Sequence, residues 1–253
     1  MKKFASIFLI LALLFSLGAC SVKQNGTETN TIPVVKEESY SKQYKDESGK
    51  VIFTVDVVLP QILENCQENA KKQINSLSLK LYEDACKFAE SNLENAANYM
   101  ASVKSDIPWS KKITFETTYA NSRYICFIIK DAFSLTDAEP YPEWSTLCYD
   151  MQKDIVCTLE TLATDPESPD MCKSILISDH IIPYIKADFS PAEYVTEEYL
   201  EALPKILKNT HFYITDSGMG FYISKGNIDT RLSGTYAMEF PWSEISYLYT
   251  LEQ

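Results

Sequence analysis

Residues 212–242 read FYITDSGMGFYISKGNIDTRLSGTYAMEFPW. Short aromatic and β-branched runs are punctuated there by Asp216-Ser217-Gly218, Gly226-Asn227 and Ser233-Gly234. Apolar runs broken by turn residues signal consecutive antiparallel strands. Moving back along the chain, helical patterns cover residues 170–186 and 196–208. Pro166 and Pro169 precede the first, Pro183 is expected to end or kink it, and Pro204 to disturb the second. A hairpin is expected from residues 113–119 and 124–129, with Asn121-Ser122 between them. Residues 51–58 predict a strand with Val51, Phe53, Val55 and Val57 on one face; Glu47-Ser48-Gly49 opens it and Pro60 ends it. Residues 62–104 contain neither Gly nor Pro. Leu77, Leu81, Phe88, Ala89, Leu93, Ala96 and Met100 recur there at helical spacing, and a break is expected near Asn75-Ser76-Leu77-Ser78. These signals predict an α+β fold: an antiparallel sheet with helices packed on one face, divided at about residue 140 into halves 40–140 and 141–253.

The N-terminus carries an address. Lys2-Lys3, an apolar run from Phe4 to Leu17 and then Leu17-Gly18-Ala19-Cys20 have the charged, apolar, small order of an export signal ending in a lipobox. The run falls short of the ~20 apolar residues a spanning helix needs. Residues 1–19 are therefore expected to be removed and Cys20 lipidated, and a two-chain lipid gives stable membrane anchoring. Residues 20–39 are polar and read as a flexible tether. An extracytoplasmic, membrane-anchored protein follows.

Composition narrows the partners. The formal charge is −12 for the whole chain, and −14 once Lys2 and Lys3 leave with the signal. Nucleic-acid binding rests on clustered Lys and Arg, so a nucleic-acid partner is excluded. A cationic protein would be attracted, although an acidic surface also serves solubility alone.

The C-terminal stretch resembles the module shared by the lysozyme-sensing anti-sigma factor RsiV and the peptidoglycan deacetylase PdaC. Ile214 to Phe221, Ile228, Gly234 and Phe240-Pro241-Trp242 fit that family, whereas Gly226, Asp229, Thr230 and Arg231 depart from it. Residues 149–162 are similar to its step from a strand through Asp-x-x-Thr-Gly into a second strand, with Lys153-Asp154 in place of Thr-Gly. The loop at residues 137–144 lacks the family's Gly-Gly-Ala-His motif. The resemblance implies a surface-displayed binding or sensing module that engages a cell-wall component such as peptidoglycan, or a wall-degrading enzyme such as lysozyme. It implies that the loop containing Asn227, Thr230, Arg231 and Gly234 contacts the ligand. The residues themselves add Tyr141 and Trp144, two aromatics on a Pro-stiffened acidic loop, where ordering on binding costs little entropy.

Catalytic signals are poor. Asp216-Ser217-Gly218 copies half of an aspartic-protease dyad with no second copy, and a turn explains it. His180 and His211 lack the elbow and spacing of a nucleophilic triad. No CxxC, HxxxH or HExxH spacing suggests a metal, and no cofactor is expected. Six cysteines remain beyond Cys20, and Cys148 with Cys157 are placed to bridge across the turn near residues 151–154. The expected role is thus a non-enzymatic binding protein. The alternatives are an envelope hydrolase with an unrecognised site and a structural lipoprotein without a ligand.

Overall fold

A computed structural model describes residues 31–137, 140–188, 211–223 and 235–251. Six strands form one sheet in the order of the chain: β1 Val34–Lys45, β2 Val51–Glu64, β3 Trp109–Ala120, β4 Tyr124–Ser134, β5 Glu143–Asp150 and β6 Ile155–Val156. Neighbours pair antiparallel except β2 and β3, which run parallel over Phe53–Val57 and Trp109–Ile113. A parallel pair needs a crossover, and α1 Glu68–Ser91 with α2 Leu93–Val103 supplies it. The fold is α+β and the sheet is mostly antiparallel.

The β1–β2 turn follows its residues. Asp46 Oδ1 accepts from Ser48 N–H, Ser48 Oγ–H and Lys50 N–H, and Gly49 takes φ +88, a left-handed conformation that costs glycine little. Two expectations fail at this ribbon. The tether reading extended to residue 39, yet β1 starts at Val34 because long-range pairing with β2 stabilises a segment without local periodicity. Pro60 does not end β2. β3 accompanies β2 only as far as Val57, and α1 serves the remainder. Asn75 Oδ1 accepts from Ile62 N–H at 2.8 Å, Asn75 Nδ2 donates to Ile62 O at 3.1 Å, and Ser78 Oγ donates to Pro60 O at 2.9 Å. The residues expected to break the helix instead fasten it to the sheet. The break falls at Asn92, whose Nδ2 donates to Phe88 O.

Residues 124–129 of β4 are all buried, because the sheet is covered on both faces there. Ile125 and Phe127 join Leu147, Tyr149, Ile62, Ala70 and Ile74 beneath α1. Cys126 and Ile128 face a larger core with the C-terminal elements. Helices on one face alone therefore understate the packing. The C-terminal elements are α3 Leu159–Leu162, α4 Pro169–Ile175, a π turn Leu176–Ile181, α5 Ile182–Asp188, a second sheet of β7 His211–Ile214, β8 Gly218–Ile223 and β9 Tyr236–Pro241, and α6 Trp242–Ile245. Pro183 does not stop the helix. The wide turn immediately before it, with Ile182 N–H bonded to Ile177 O, absorbs the steric conflict between the proline ring and the preceding turn. The expected helix at residues 196–208 lies outside the described residues.

The bridge in the structure is Cys126–Cys148, not Cys148–Cys157. Cys126 and Cys148 are direct partners in the β4–β5 register with Cα atoms 4.1 Å apart. Cys157 is buried beside them as a thiol and donates its N–H to Cys148 O at 2.7 Å. The sequence shows the β5–β6 turn, but not that β4 brings a cysteine to the other side of Cys148.

Candidate functional site

Residues 140–144 enter β5 along the side of the molecule shared with the second sheet. Tyr141 is 63% exposed. Trp144 is half-buried and separates from it, packing edge-on to Tyr213 at 6.4 Å and tilted against Tyr222 at 5.9 Å. Its cross-strand partner Lys130 holds an ammonium 5.4 Å from the indole ring and donates to Glu116 Oε2 at 2.7 Å. His211 stacks on Tyr222 with ring centres 5.0 Å apart, and partial burial lowers its imidazole below the ordinary value. Trp144, Tyr213, Tyr222 and His211 thus form an aromatic cluster at the start of β5, three residues along the chain from the exposed Tyr141.

Glycine spacing in β8 makes room for this cluster. Tyr213 and Gly220 are opposite one another in the β7–β8 ladder, and a Cβ at Gly220 would lie 1.9 Å from Tyr213 Cζ. The ring lies over the glycine and donates its hydroxyl to Glu239 Oε1 at 2.9 Å. Burial, then the Glu239 carboxylate, pushes that phenol well above its usual range.

Thr235 Oγ1 donates to Pro142 O at 3.3 Å. This bond sets the Tyr141 segment beside the last residue before β9, which is the stem of the β8–β9 connection. Asn227, Thr230, Arg231 and Gly234 belong to that connection, but all four lie outside the described residues, as does Cys20. The structure therefore joins the stem of the resembling loop to the Pro-rich segment, two features the sequence offers separately. It also groups Lys130, Tyr213 and Tyr222 around Trp144, with His211 stacked on Tyr222. Tyr213 was legible only through the turn that sets Gly220 across from it.

Asp216 sits in the β7–β8 turn, where Gly218 N–H donates to Thr215 Oγ1 at 3.1 Å. His180 is half-buried against Phe240, and its Nε2 is 2.8 Å from Tyr247 Oη. Asp179 accepts from its neighbour Ser178 at 2.6 Å. Among the described residues no group of three or more His, Cys, Asp or Glu is placed to hold a metal ion. No described helix is long and apolar enough to cross a membrane.

One buried ion pair escaped the sequence reading. Arg123 Nε and Nη2 both donate to Asp150 Oδ2, at 3.1 and 3.0 Å, while Asp150 Oδ1 accepts from the N–H groups of Gln152 and Lys153. The turn so fixed places Asp154 at φ 58, a left-handed backbone that Asp tolerates better than most residues, at the position where the resembling family has glycine. Tyr149 Oη and Asn69 Nδ2 donate to the Asp154 carboxylate. These bonds fasten the β5–β6 turn to α1.

No family model matches the sequence, and no curated protein matches it. Solved structures do. A member of the DUF3298 family from Bacteroides fragilis superimposes with a TM-score of 0.58 at 14% identity, over 88% of this chain and 96% of that one. A DUF3298 family protein from Pseudomonas aeruginosa gives 0.49 at 8% identity, over 86% and 94%. The first likeness establishes a DUF3298-like fold.

Proposed function

We propose that this chain is a lipid-anchored extracytoplasmic binding or sensing module of the bacterial envelope, whose contact face is the exposed Tyr141 and the adjoining β8–β9 connection. The observation that carries the reading is the Thr235–Pro142 bond, which unites the stiff aromatic segment with the stem of the loop that resembles the RsiV/PdaC-type module. The DUF3298-like fold supports it, since that module contains DUF3298. Cys20 and the residues before it supply the address. The ligand class is a wall component such as peptidoglycan or a cationic wall-degrading protein such as lysozyme, and the protein performs no chemistry on it.

The test is retention of the purified protein on immobilised lysozyme and on insoluble peptidoglycan. Binding to one of them is expected, with Tyr141→Ala weakening it about 10-fold, equivalent to ~1.4 kcal/mol. Retention on neither overturns the proposal. Turnover of wall fragments that Asp216→Ala abolishes would replace it with a hydrolase. Blocking lipoprotein processing, read as a mass change at the N-terminus, tests the anchor independently.

A further inference from the structure

The β1–β2 ribbon exposes apolar side chains at the end from which the chain leaves toward Cys20. Ile32 is 57% exposed, Leu63 43% and Val34 40%. They belong together. Val34 pairs with Glu64 and Val35 with Ile62, so Leu63 is the extra residue of a bulge and lies outside the pairing. Asn65, at φ 60, donates Nδ2–H to Ile32 O at 3.1 Å and fixes the segment just before β1 to the same end. The fold thus holds three aliphatic side chains in water although Pro33 and Ile62 beside them are buried. Leu79, Met171 and Tyr247 are also exposed, but they lie on other elements.

We propose that this end of the ribbon rests on the lipid bilayer as a second membrane contact, with Ile32, Val34 and Leu63 entering the headgroup boundary. The inference rests on the anchoring of Cys20 proposed above. Chain length selects the occupant. Eleven residues, 21–31, separate Cys20 from Ile32. Even fully extended they span at most ~40 Å. The lipid surface is therefore always within reach of this end, whereas a soluble partner must arrive by diffusion. Tethering raises the effective concentration of the patch at the bilayer to the millimolar range, so a contact too weak to bind alone still forms. Its chemistry is apolar, with charges of both signs around it: Lys36, Glu64 and Glu68 stand nearby in sequence and all three are exposed. Docking this end would orient the folded body relative to the membrane.

The experiment uses full-length lipidated protein in phosphatidylcholine vesicles, with p-benzoylphenylalanine at position 32 or 63, or at position 79 as a control. Flotation with the vesicles reports the anchor, and photo-crosslinking to lipid reports the contact. Expected are flotation of all three proteins and lipid adducts at 32 and 63 in several-fold excess over 79. Flotation with equal adducts at the three positions overturns the contact and leaves the anchor standing. Adducts from position 32 to a second protein chain in place of lipid also overturn it. Failure to float overturns the anchor, and the contact with it.

Discussion

At Gly220 a single hydrogen occupies the space under the Tyr213 ring, so any larger side chain must displace an aromatic whose hydroxyl is bonded to Glu239. Gly220→Ala is expected to destabilise the protein by ~2 kcal/mol, as overpacking does, read as a lower denaturant midpoint with an unchanged slope. Cys148 is a second position where neighbours on both sides matter. It has Cys126 opposite it in β4, held by strand pairing, and Cys157 just past β6, held by its N–H bond to Cys148 O. In oxidised Cys126→Ser protein, peptide mapping should find a Cys148–Cys157 bridge. Recovery of both as thiols would show that the β6 side does not bring the sulfurs within reach. Burial pushes the Cys157 thiol up to about 12, so it stays protonated and inert in the native wild-type protein at neutral pH.

Among the elements, β1 and α1 are joined by a polar tie: Lys42 donates to Glu90 Oε1 at 3.0 Å, and Tyr44 Oη donates to the same oxygen at 3.2 Å. The Lys42 hydrogen bond, more than any other cause, holds the Glu90 carboxyl below its ordinary value of 4.5. The folded state therefore favours the ionised form. The stabilisation is fully present above about pH 4.5 and is lost as pH falls through the lower folded value. Both side chains are substantially exposed, so the effect is ~0.5 kcal/mol at most. Comparing wild type with Glu90→Gln by urea unfolding should show a small difference at pH 7 that shrinks as the pH is lowered below 4.5. This element scale is also where the sequence was most and least legible. The β3–β4 hairpin and the β7–β8 turn at Asp216 follow from local residue chemistry, which a linear reading captures. Asn75 and Ser78 misled it. Their helix-breaking preference is local, whereas their actual partners, Ile62 and Pro60, lie on β2. Position 34 as a strand start, the Cys126 bridge and the Arg123–Asp150 pair are invisible for the same reason: each depends on which strand lies beside which. For the candidate site, Tyr141 was legible as an aromatic on a stiff segment, whereas Trp144, expected on the same loop, is the second residue of β5 and packs on Tyr213 and Tyr222. Their differing burial came only from the packing of two sheets.

Across the molecule, the division at residue 140 falls between β4 and β5, which pair along eight residues. The larger core also gathers Cys126 and Ile128 from β4 with residues of β7, β8 and β9. Residues 141–253 produced alone are therefore expected to remain unfolded or to aggregate, because β5 would lose its β4 partner and the core one wall. A dispersed amide spectrum from that fragment would contradict this, and the intact body should unfold in one calorimetric transition. The one parallel pairing in the large sheet has a kinetic consequence. β1–β2 and β3–β4 can each zip locally, but β2 meets β3 only after the intervening helices have closed a long loop, and that closure entropy must be met before the pairing contributes. Assembly is thus expected to reach its slow step at this seam, so that shortening Val57 or Ile113 retards refolding more than an equal truncation within either hairpin.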